Sequence, residues 1–236
     1  LLMAPFLFVL TIKESYYPAF WKLIRGWAHV LVYGMGFRID KQIDEVLDRE
    51  KSYMFCPNHA SLMDPFVLIV LSKNPIVFVG KKELYSIPFF GYIYKRAAIM
   101  VDRSDSKSKF EVYGRANEML EKGYNVCIFP ETNYLDDTII LADFKRGAFK
   151  IAIENNLPII PLVFYDLKLK HPWYPKFGSL GKLRVKVLDK INVENLTEED
   201  IPSLTIKAYN KIKHELENDP KQAAVKATNN WKKIVS

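Results

Sequence analysis

A histidine and an aspartate lie five residues apart, directly after an apolar segment of this chain. His59 follows the apolar residues 53–57, and Asp64 closes the stretch NHASLMD at 58–64. An imidazole exchanges a proton near neutral pH, and a nearby carboxylate can orient the ring and stabilise its charged form. The pair could therefore act as the general base that an alcohol needs when it attacks an activated carbonyl such as a thioester. Such a reaction requires neither a metal nor a nucleotide.

This pair can meet only in one local geometry. On a regular helix, residues five apart point about 140° away from each other. We therefore expect His59 in a turn after a strand and Asp64 in the first turn of the following helix. The other histidines, His29, His171 and His214, have no comparable local arrangement. From these residues alone, a turn with satisfied polar groups explains the pair equally well.

The elements around the pair predict an α/β fold. Six apolar runs read as strands: Tyr53–Pro57, Ile76–Gly80, Ala97–Val101, Tyr124–Pro130, Pro158–Tyr165 and Leu183–Leu188. Helical patterns alternate with them at Ser104–Lys122 and Phe144–Asn156, and a capping-box pattern at Thr197 and Asp200 opens a last helix. This alternation predicts a single α/β domain with a largely parallel central sheet flanked by helices. We expect an N-terminal membrane-associated helical segment over residues 1–40, a catalytic domain over 41–218 and a tail over 219–236.

Composition favours an anionic lipid surface as a partner. The chain has 236 residues, 14% of them aromatic, and a formal net charge of +7. No zinc spacing, nucleic-acid module or run of five like charges is present, so we predict no nucleic acid partner. No Gly-rich phosphate loop supports nucleotide use, and a thioester is already activated, so we predict no cofactor and no metal. Cys56 and Cys127 lie in apolar runs and are expected to be reduced and structural.

The N-terminal residues indicate contact with a membrane. The apolar run Leu1–Leu10 is shorter than the about 20 residues that span a bilayer. Because the chain starts inside this run, we expect it to belong to a longer hydrophobic segment, either an anchor or part of a hairpin; a secretory signal is not predicted. After Pro18, Trp21 and Trp27 accompany basic residues, as at a headgroup boundary, although a helix packed on the protein's own core is the alternative.

Four segments together resemble the glycerolipid acyltransferase family, which includes lysophosphatidic acid (1-acylglycerol-3-phosphate) acyltransferases. The matching segments, in order, are Asn58-His59 with Asp64, Ala98–Arg103, Ile128–Glu131 and Leu157–Pro161. They extend over residues 58–161. In this family the histidine and aspartate are catalytic, so the resemblance implies His59 as the base and Asp64 as its partner.

The same resemblance assigns substrate-binding residues. It implies that Arg103 contacts the acceptor phosphate, for which a guanidinium is well shaped, and that Glu131 lies near the acceptor and the active centre. The family usually continues after the glutamate with glycine or threonine and often an arginine, whereas this chain has Thr132-Asn133. Lys145 and Arg146 could supply the missing positive charge. The fourth segment is often linked to acyl-chain or donor binding, and a buried core strand explains it equally well.

We therefore expect an acyltransferase that moves a fatty acyl group from acyl-CoA or acyl carrier protein to the hydroxyl of lysophosphatidic acid. It would work in phospholipid biosynthesis on the cytoplasmic face of the inner or plasma membrane. Three alternatives remain: another lyso-lipid acceptor such as a lyso-aminolipid, a non-catalytic lipid-surface binding protein, and a hydrolase using Ser61. The last lacks the Gly-x-Ser-x-Gly elbow.

Overall fold

The structure is a computed structural model. It describes residues 4–10, 12–44, 46–81, 91, 94, 98–101, 106–132, 136–174 and 178–235.

The centre of the molecule is a sheet of seven described strands. They are β1 Phe37–Ile43, β2 Met54–Pro57, β3 Ile76–Lys81, β4 Ala98–Val101, β5 Asn125–Cys127, β6 Ile159–Phe164 and β7 Gly181–Val187. Their order across the sheet is β1-β7-β6-β2-β5-β3-β4. Every pairing is parallel except that between β6 and β7. The largely parallel sheet predicted from the alternating pattern is confirmed.

Eight described helices accompany the sheet. They are α1 Ala4–Leu10, α2 Tyr17–Gly34, α3 Asp64–Leu71, α4 Ser106–Glu121, α5 Gly147–Glu154, α6 Leu167–Lys170, α7 Ile201–Glu217 and α8 Ala223–Val235. Short 3-10 turns at Glu14–Tyr16 and Glu198–Asp200 precede α2 and α7. One core cluster joins α2 and α3 to one face of the sheet, and a second joins α4, α5 and α7 to the other. Helices therefore cover both faces, as a parallel sheet requires.

Local signals explain where several helices begin and end. Proline at the first turn opens α2, α3 and α7, where its missing N–H costs no hydrogen bond. Gly123 follows α4 with a φ of +75°, the left-handed conformation expected of a terminating glycine. The Thr197 and Asp200 side chains form the predicted capping box. The predicted burial of Cys56 and Cys127 is also confirmed, and both are free thiols.

The sequence did not predict strand β1. Its residues, FRIDKQI, pair in parallel with β7 at the edge of the sheet and are mostly exposed. An edge strand with one short buried face lacks the apolar run that identified the other strands. Strand β1 runs across residue 40, and helix α8 forms within residues 219–236.

Helix α2 packs on the protein's own core. Phe20, Trp21, Ala28 and Val32 are buried, and α2 lies against α3. The expectation that Trp21 lies at a headgroup boundary is therefore wrong, because its indole is 4% exposed within the core. Trp27 is 38% exposed and packs edge-on against Phe66. Among the described residues, none of the helices has both the length and the apolar character needed to cross a membrane.

The C-terminal helices are fixed to the sheet by a buried ion cluster. Arg184 on β7 contacts Asp166 at 2.6 Å and Asp219 at 2.5 Å, and all three side chains are buried. Asp219 also accepts the backbone N–H of Ala223 at the start of α8. The two carboxylates neutralise and orient one guanidinium, so removal of Arg184 would leave two buried charges without a partner.

Candidate active site

The predicted catalytic pair lies at the carboxyl edge of the parallel strands. His59 follows β2 and Glu131 follows β5, and these two strands are neighbours in the sheet. Loops at this edge of an open parallel sheet are the usual place for a ligand site. The sheet order, rather than the distance along the chain, brings His59 and Glu131 together.

His59 and Asp64 form the contact that the spacing predicted. Nδ1 of His59 lies 2.8 Å from Oδ2 of Asp64. The helix α3 begins at Asp64, and His59 lies in the preceding turn. With Nδ1 turned to the carboxylate, Nε2 is the ring nitrogen that can exchange a proton with a substrate. The imidazole is 16% exposed, so it lies at the surface of the site rather than within the core.

One oxygen of Asp64 organises the whole turn. Oδ2 also accepts the backbone N–H groups of Ala60 at 2.6 Å and Ser61 at 2.9 Å. Burial raises the pKa of this fully buried carboxyl, and the hydrogen bonds from His59, Ser61 and Ala60 oppose that shift. Because three donors converge on one oxygen, the position of the imidazole is tied to the backbone of the turn.

Glu131 holds the backbone of His59 rather than its ring. Its Oε1 accepts the His59 N–H at 2.5 Å, and its Oε2 accepts the Ala142 N–H at 2.9 Å. Glu131 is 5% exposed, and burial raises its pKa to about 7. The resemblance placed Glu131 near the acceptor and the active centre. In the structure its two oxygens are used to connect the loop after β2 to the loop after β5.

Two aromatic side chains flank the imidazole. Phe129 stacks on His59 with ring centroids 4.2 Å apart, and Trp173 approaches edge-on at 5.3 Å. This apolar surround limits the movement of the ring and lowers the local dielectric, which strengthens the interaction between an imidazolium and Asp64.

Asn58 extends the pairing of β2 and β6 beyond the end of β2. Its side chain accepts the Phe164 N–H at 2.7 Å and donates to the Phe164 carbonyl at 3.2 Å. The side chain thus takes the place of a backbone partner at the point where the chain turns toward His59. Asn58 is 4% exposed, so water does not compete for the hydrogen bonds of its side chain.

Ser61 is committed to a structural role. Its hydroxyl is buried, donates to the His171 carbonyl at 2.6 Å, and lies 2.8 Å from His171 Nδ1. It also accepts the Met63 N–H at 3.1 Å. A hydroxyl with these partners cannot present itself to a substrate, which removes the support for a hydrolase with Ser61 as nucleophile.

Lys168 is a charged residue near the site that the sequence did not identify. It is 8% exposed, and its Nζ donates to the Ile139 carbonyl at 2.6 Å and lies 3.6 Å from Asp137. Burial lowers its pKa, whereas Asp137 and Glu131 oppose that shift. Only the tertiary fold distinguishes it from Lys170 two residues later, which is less buried. Lys168 thus fixes the 136–139 loop and places a positive charge near Glu131.

The predicted cations occupy different positions. The Lys145 backbone N–H donates to the Pro130 carbonyl, next to Glu131, and its side chain is exposed. Arg146 precedes α5 and lines a surface depression with Lys150 and Glu198. Arg103 lies outside the described residues. Strand β4, which ends two residues before it, has its carboxyl end at the same edge of the sheet as β2 and β5.

The fourth family-like segment is a core strand along most of its length. Every residue of β6 is buried, including Pro161, and β6 lies between β7 and β2. The strand holds Asn58 through Phe164 at its carboxyl end. Its observed contribution to the site is therefore to position the turn that carries His59.

The raised pKa of Glu131 should make the stability of the fold depend on pH. An unfolded carboxyl ionises near 4.5, whereas in the folded protein Glu131 keeps its proton up to a pH of about 7. Folding therefore takes up a proton between these values, and this contribution to the free energy of unfolding falls as the pH rises through that window. The full loss above this window is on the order of 3 kcal/mol. Urea unfolding at pH 5 and pH 8 should show a larger fall for the wild type than for Glu131→Gln, and equal pH dependence would contradict the assignment.

Comparisons with known proteins agree with this geometry. Residues 38–165 match the model of the acyltransferase family. The chain is 28% identical over 184 residues to human 1-acyl-sn-glycerol-3-phosphate acyltransferase beta, covering 77% of this chain and 66% of that protein. It is 36% identical over 146 residues to the coconut 1-acyl-sn-glycerol-3-phosphate acyltransferase, covering 61% of this chain and 47% of that protein. The chain thus spans about two thirds or less of the length of these two relatives.

A solved structure supports the fold. The chain resembles the crystal structure of the 1-acyl-sn-glycerophosphate acyltransferase PlsC from Thermotoga maritima with a TM-score of 0.70 at 20% identity, covering 89% of this chain and 85% of that one. At this identity the likeness establishes the architecture. The family model covers more than half of the chain and includes His59, Asp64 and Glu131. This protein belongs to the acyltransferase family.

Proposed function

We propose that the protein transfers a fatty acyl group from an acyl thioester to the free hydroxyl of lysophosphatidic acid, giving phosphatidic acid. The observation that carries this proposal is the 2.8 Å contact between His59 Nδ1 and Asp64 Oδ2 in a member of the acyltransferase family. The choice of acceptor is supported by the names of the relatives from human and coconut.

His59, oriented by Asp64, can take up and return the proton that moves during the transfer. Nε2 of His59 takes the proton of the acceptor hydroxyl as its oxygen forms a bond to the thioester carbonyl carbon. Asp64 stabilises the resulting imidazolium. The carbon–sulfur bond then breaks, and the imidazolium returns the proton to the leaving thiolate. The products are an ester and a free thiol, and no covalent acyl-enzyme is formed.

Purified protein assayed with lysophosphatidic acid and either acyl-CoA or acyl carrier protein thioesters tests this function directly. We expect phosphatidic acid and free thiol in equal amounts with at least one donor, since the ester and the thiol arise in the same reaction. Thiol release without phosphatidic acid would indicate hydrolysis instead. Lack of turnover with either donor would favour a non-catalytic lipid-binding protein.

Arg103 decides between lysophosphatidic acid and a lyso-aminolipid as the acceptor. If its guanidinium binds the acceptor phosphate, Arg103→Ala should raise the acceptor KM and lower kcat/KM. The corresponding loss of transition-state stabilisation should be about 1.5–3 kcal/mol, the value of a charge-assisted contact. Donor KM should change little. Arg103→Lys should recover only part of the loss, because an ammonium cannot form the forked contact. Steady-state kinetics with acceptor and donor varied separately measure these effects.

Lys145→Ala and Arg146→Ala provide the comparison for Arg103. Both side chains are exposed, so their removal should leave the fold unchanged. An unchanged acceptor KM in Arg103→Ala, with a raised KM in either of these variants, would move the phosphate site to that residue. Unchanged acceptor use in all three variants would exclude lysophosphatidic acid as the physiological acceptor.

The N-terminal helices supply a candidate membrane surface. Apolar side chains on α1 and α2 are exposed, including Phe6 at 67%, Val9 at 52% and Val30 at 71%. Lys22 on α2 is also exposed. Exposed apolar side chains beside a basic residue suit an anionic membrane interface, with the acyl donor arriving from the aqueous side. We place this surface on the cytoplasmic face of the inner or plasma membrane.

Point variants test this surface without removing core residues of α2. Phe6→Glu with Val30→Glu should reduce flotation with liposomes that contain anionic lipid, because both side chains would carry charge into the interface. Ile206→Glu is the matched control, since Ile206 is 59% exposed on α7. Equal flotation of all three proteins would rule out α1 and α2 as the contact.

A further inference from the structure

A cavity lies away from His59, on the side of the sheet that carries α3. It has a volume of about 250 Å³. Tyr53 and Asn125, which lie at the amino ends of β2 and β5, contribute to its wall. His59 and Glu131 follow the opposite ends of the same two strands. The cavity is therefore separate from the catalytic loops, and neither of these residues lines it.

The inner wall of this cavity is apolar. Phe55 and Leu162 contribute from the sheet, and Leu68 and Leu71 contribute from α3. Phe55, Leu68 and Leu162 are at most 5% exposed, so they belong to the fixed core rather than to a mobile surface. A wall of this composition favours an alkyl chain over a polar or planar hydrogen-bonding ligand.

The mouth of the cavity is basic. Four exposed cations reach it from three separate segments: Lys41 from β1, Arg49 and Lys51 from the loop before β2, and Lys73 from the turn after α3. Among the described lining residues, Asp48 is the only acid, and its Oδ1 accepts the Glu50 N–H.

These cations differ from their neighbours in having no ion-pair partner among the described residues. Between β7 and the region of β1, Lys182 contacts Asp40 at 3.3 Å and Lys186 contacts Asp44 at 3.2 Å. Lys41 has no such contact, and burial together with the charge of Lys73 lowers its pKa. An anion at the mouth would offset the repulsion between the charges of Lys41 and Lys73.

Hydrogen bonds hold the segments of the mouth together. Asn74 Nδ2 donates to the Arg49 carbonyl at 2.6 Å, and Ser72 Oγ donates to the Asn74 carbonyl at 2.7 Å. The Asp48 N–H donates to the Tyr53 hydroxyl at 3.1 Å. The loop before β2 and the turn after α3, which carry three of the cations, are therefore already connected. This connection lowers the entropy that is lost when a ligand binds.

We propose that this cavity binds a single-chain anionic amphiphile. Its carboxylate or phosphate contacts the cations at the mouth, and its alkyl chain lies against Phe55, Leu68 and Leu71. The volume of about 250 Å³ lies just below the usual range for ligand sites, about 300–1,000 Å³, which favours a chain of medium length. The site adds a lipid-binding function to the protein and does not depend on the acyl-transfer proposal.

Isothermal titration calorimetry with decanoate, decyl phosphate and decyl maltoside, each present as monomers, tests the head group. We expect both anions to bind and the uncharged maltoside to bind at least about tenfold more weakly, because it lacks the charge that the mouth attracts. A preference for decanoate or for decyl phosphate would identify a fatty acid or a phosphate-bearing lipid as the ligand class. Equal binding of all three compounds would overturn the proposal.

Paired variants locate the binding. Lys41→Glu with Lys73→Glu should weaken decanoate binding on the order of tenfold or more, since two attractions become repulsions. Lys221→Glu with Lys226→Glu reverses two exposed charges outside the cavity and should leave the affinity unchanged. Leu71→Trp should block the chain without altering the charge at the mouth.

The His59→Ala variant separates this site from the catalytic one. Decanoate should bind it as tightly as it binds the wild type, because His59 does not line the cavity. Loss of binding in this variant, or full binding in Lys41→Glu with Lys73→Glu, would place the ligand elsewhere and refute the second site.

Discussion

Replacement of His59 by alanine is expected to reduce acyl-transfer turnover on the order of 10²- to 10⁴-fold, the usual contribution of a general base. This corresponds to about 3–5 kcal/mol in the activation free energy. The fold should persist, because the imidazole is partly exposed and Asp64 retains the N–H groups of Ala60 and Ser61. The buried carboxylate therefore keeps two of its three donors.

Turnover and a thermal melt of the same preparation check this result. His214→Ala is the matched control, since His214 is an exposed histidine on α7. We expect its activity and melting temperature to stay close to those of the wild type. If His59→Ala kept activity within a few-fold of the wild type, His59 could not be the base, and the proposed mechanism would fail with it.

Replacement of Asp64 by asparagine is expected to be nearly as damaging. The amide oxygen can remain at the Oδ2 position and keep the backbone N–H groups of Ala60 and Ser61. The amide nitrogen then takes the position of Oδ1, which is buried and has no hydrogen-bond partner among the described residues. The imidazolium loses its counter-charge. Loss of an orienting carboxylate beside a catalytic histidine lowers turnover by up to about 10⁴-fold in other enzymes. We expect a loss of about 10²- to 10⁴-fold here.

The kinetic pattern distinguishes this effect from simple unfolding. Because Asp64 acts on the base, kcat should fall while the KM values of acceptor and donor change little. Asp189→Asn is the control, as Asp189 is an exposed aspartate outside the site. Wild-type turnover in Asp64→Asn would show that the charge of Asp64 is not needed, and a raised KM for both substrates would point to a distorted loop.

The local part of the site was predictable from the sequence. The five-residue spacing of His59 and Asp64 required a turn followed by a helix start, and Asp64 is the first residue of α3. The spacing of apolar residues identified six of the seven described strands, although their bounds differ by a few residues. These features depend on residues that are close in the chain, so a local pattern contains the information.

The support of the site was not predictable in the same way. The resemblance placed Glu131 near the acceptor and the active centre, but it did not specify the observed contacts with the N–H groups of His59 and Ala142. Those contacts follow from the adjacency of β2 and β5, which no local pattern encodes. The buried Lys168 likewise depends on partners about 30 residues away, the carbonyls of Asp136 and Ile139.

The N-terminal region shows the same division. The pattern of α2 predicted an amphipathic helix, and a helix forms at Tyr17–Gly34. The spacing of apolar residues along α2 does not distinguish a face that contacts lipid from one that contacts protein, because both environments favour the same residues. The packing of α2 on α3 decided that Trp21 is buried in the core and that Val30 remains exposed. The sequence by itself determined the turn that carries His59 and Asp64, most of the strands and several of the helices, because these depend on neighbours in the chain. Only the tertiary structure decided the edge strand β1, the contacts of Glu131 and the burial of Trp21 and Lys168, because these depend on sheet order and on packing between distant segments.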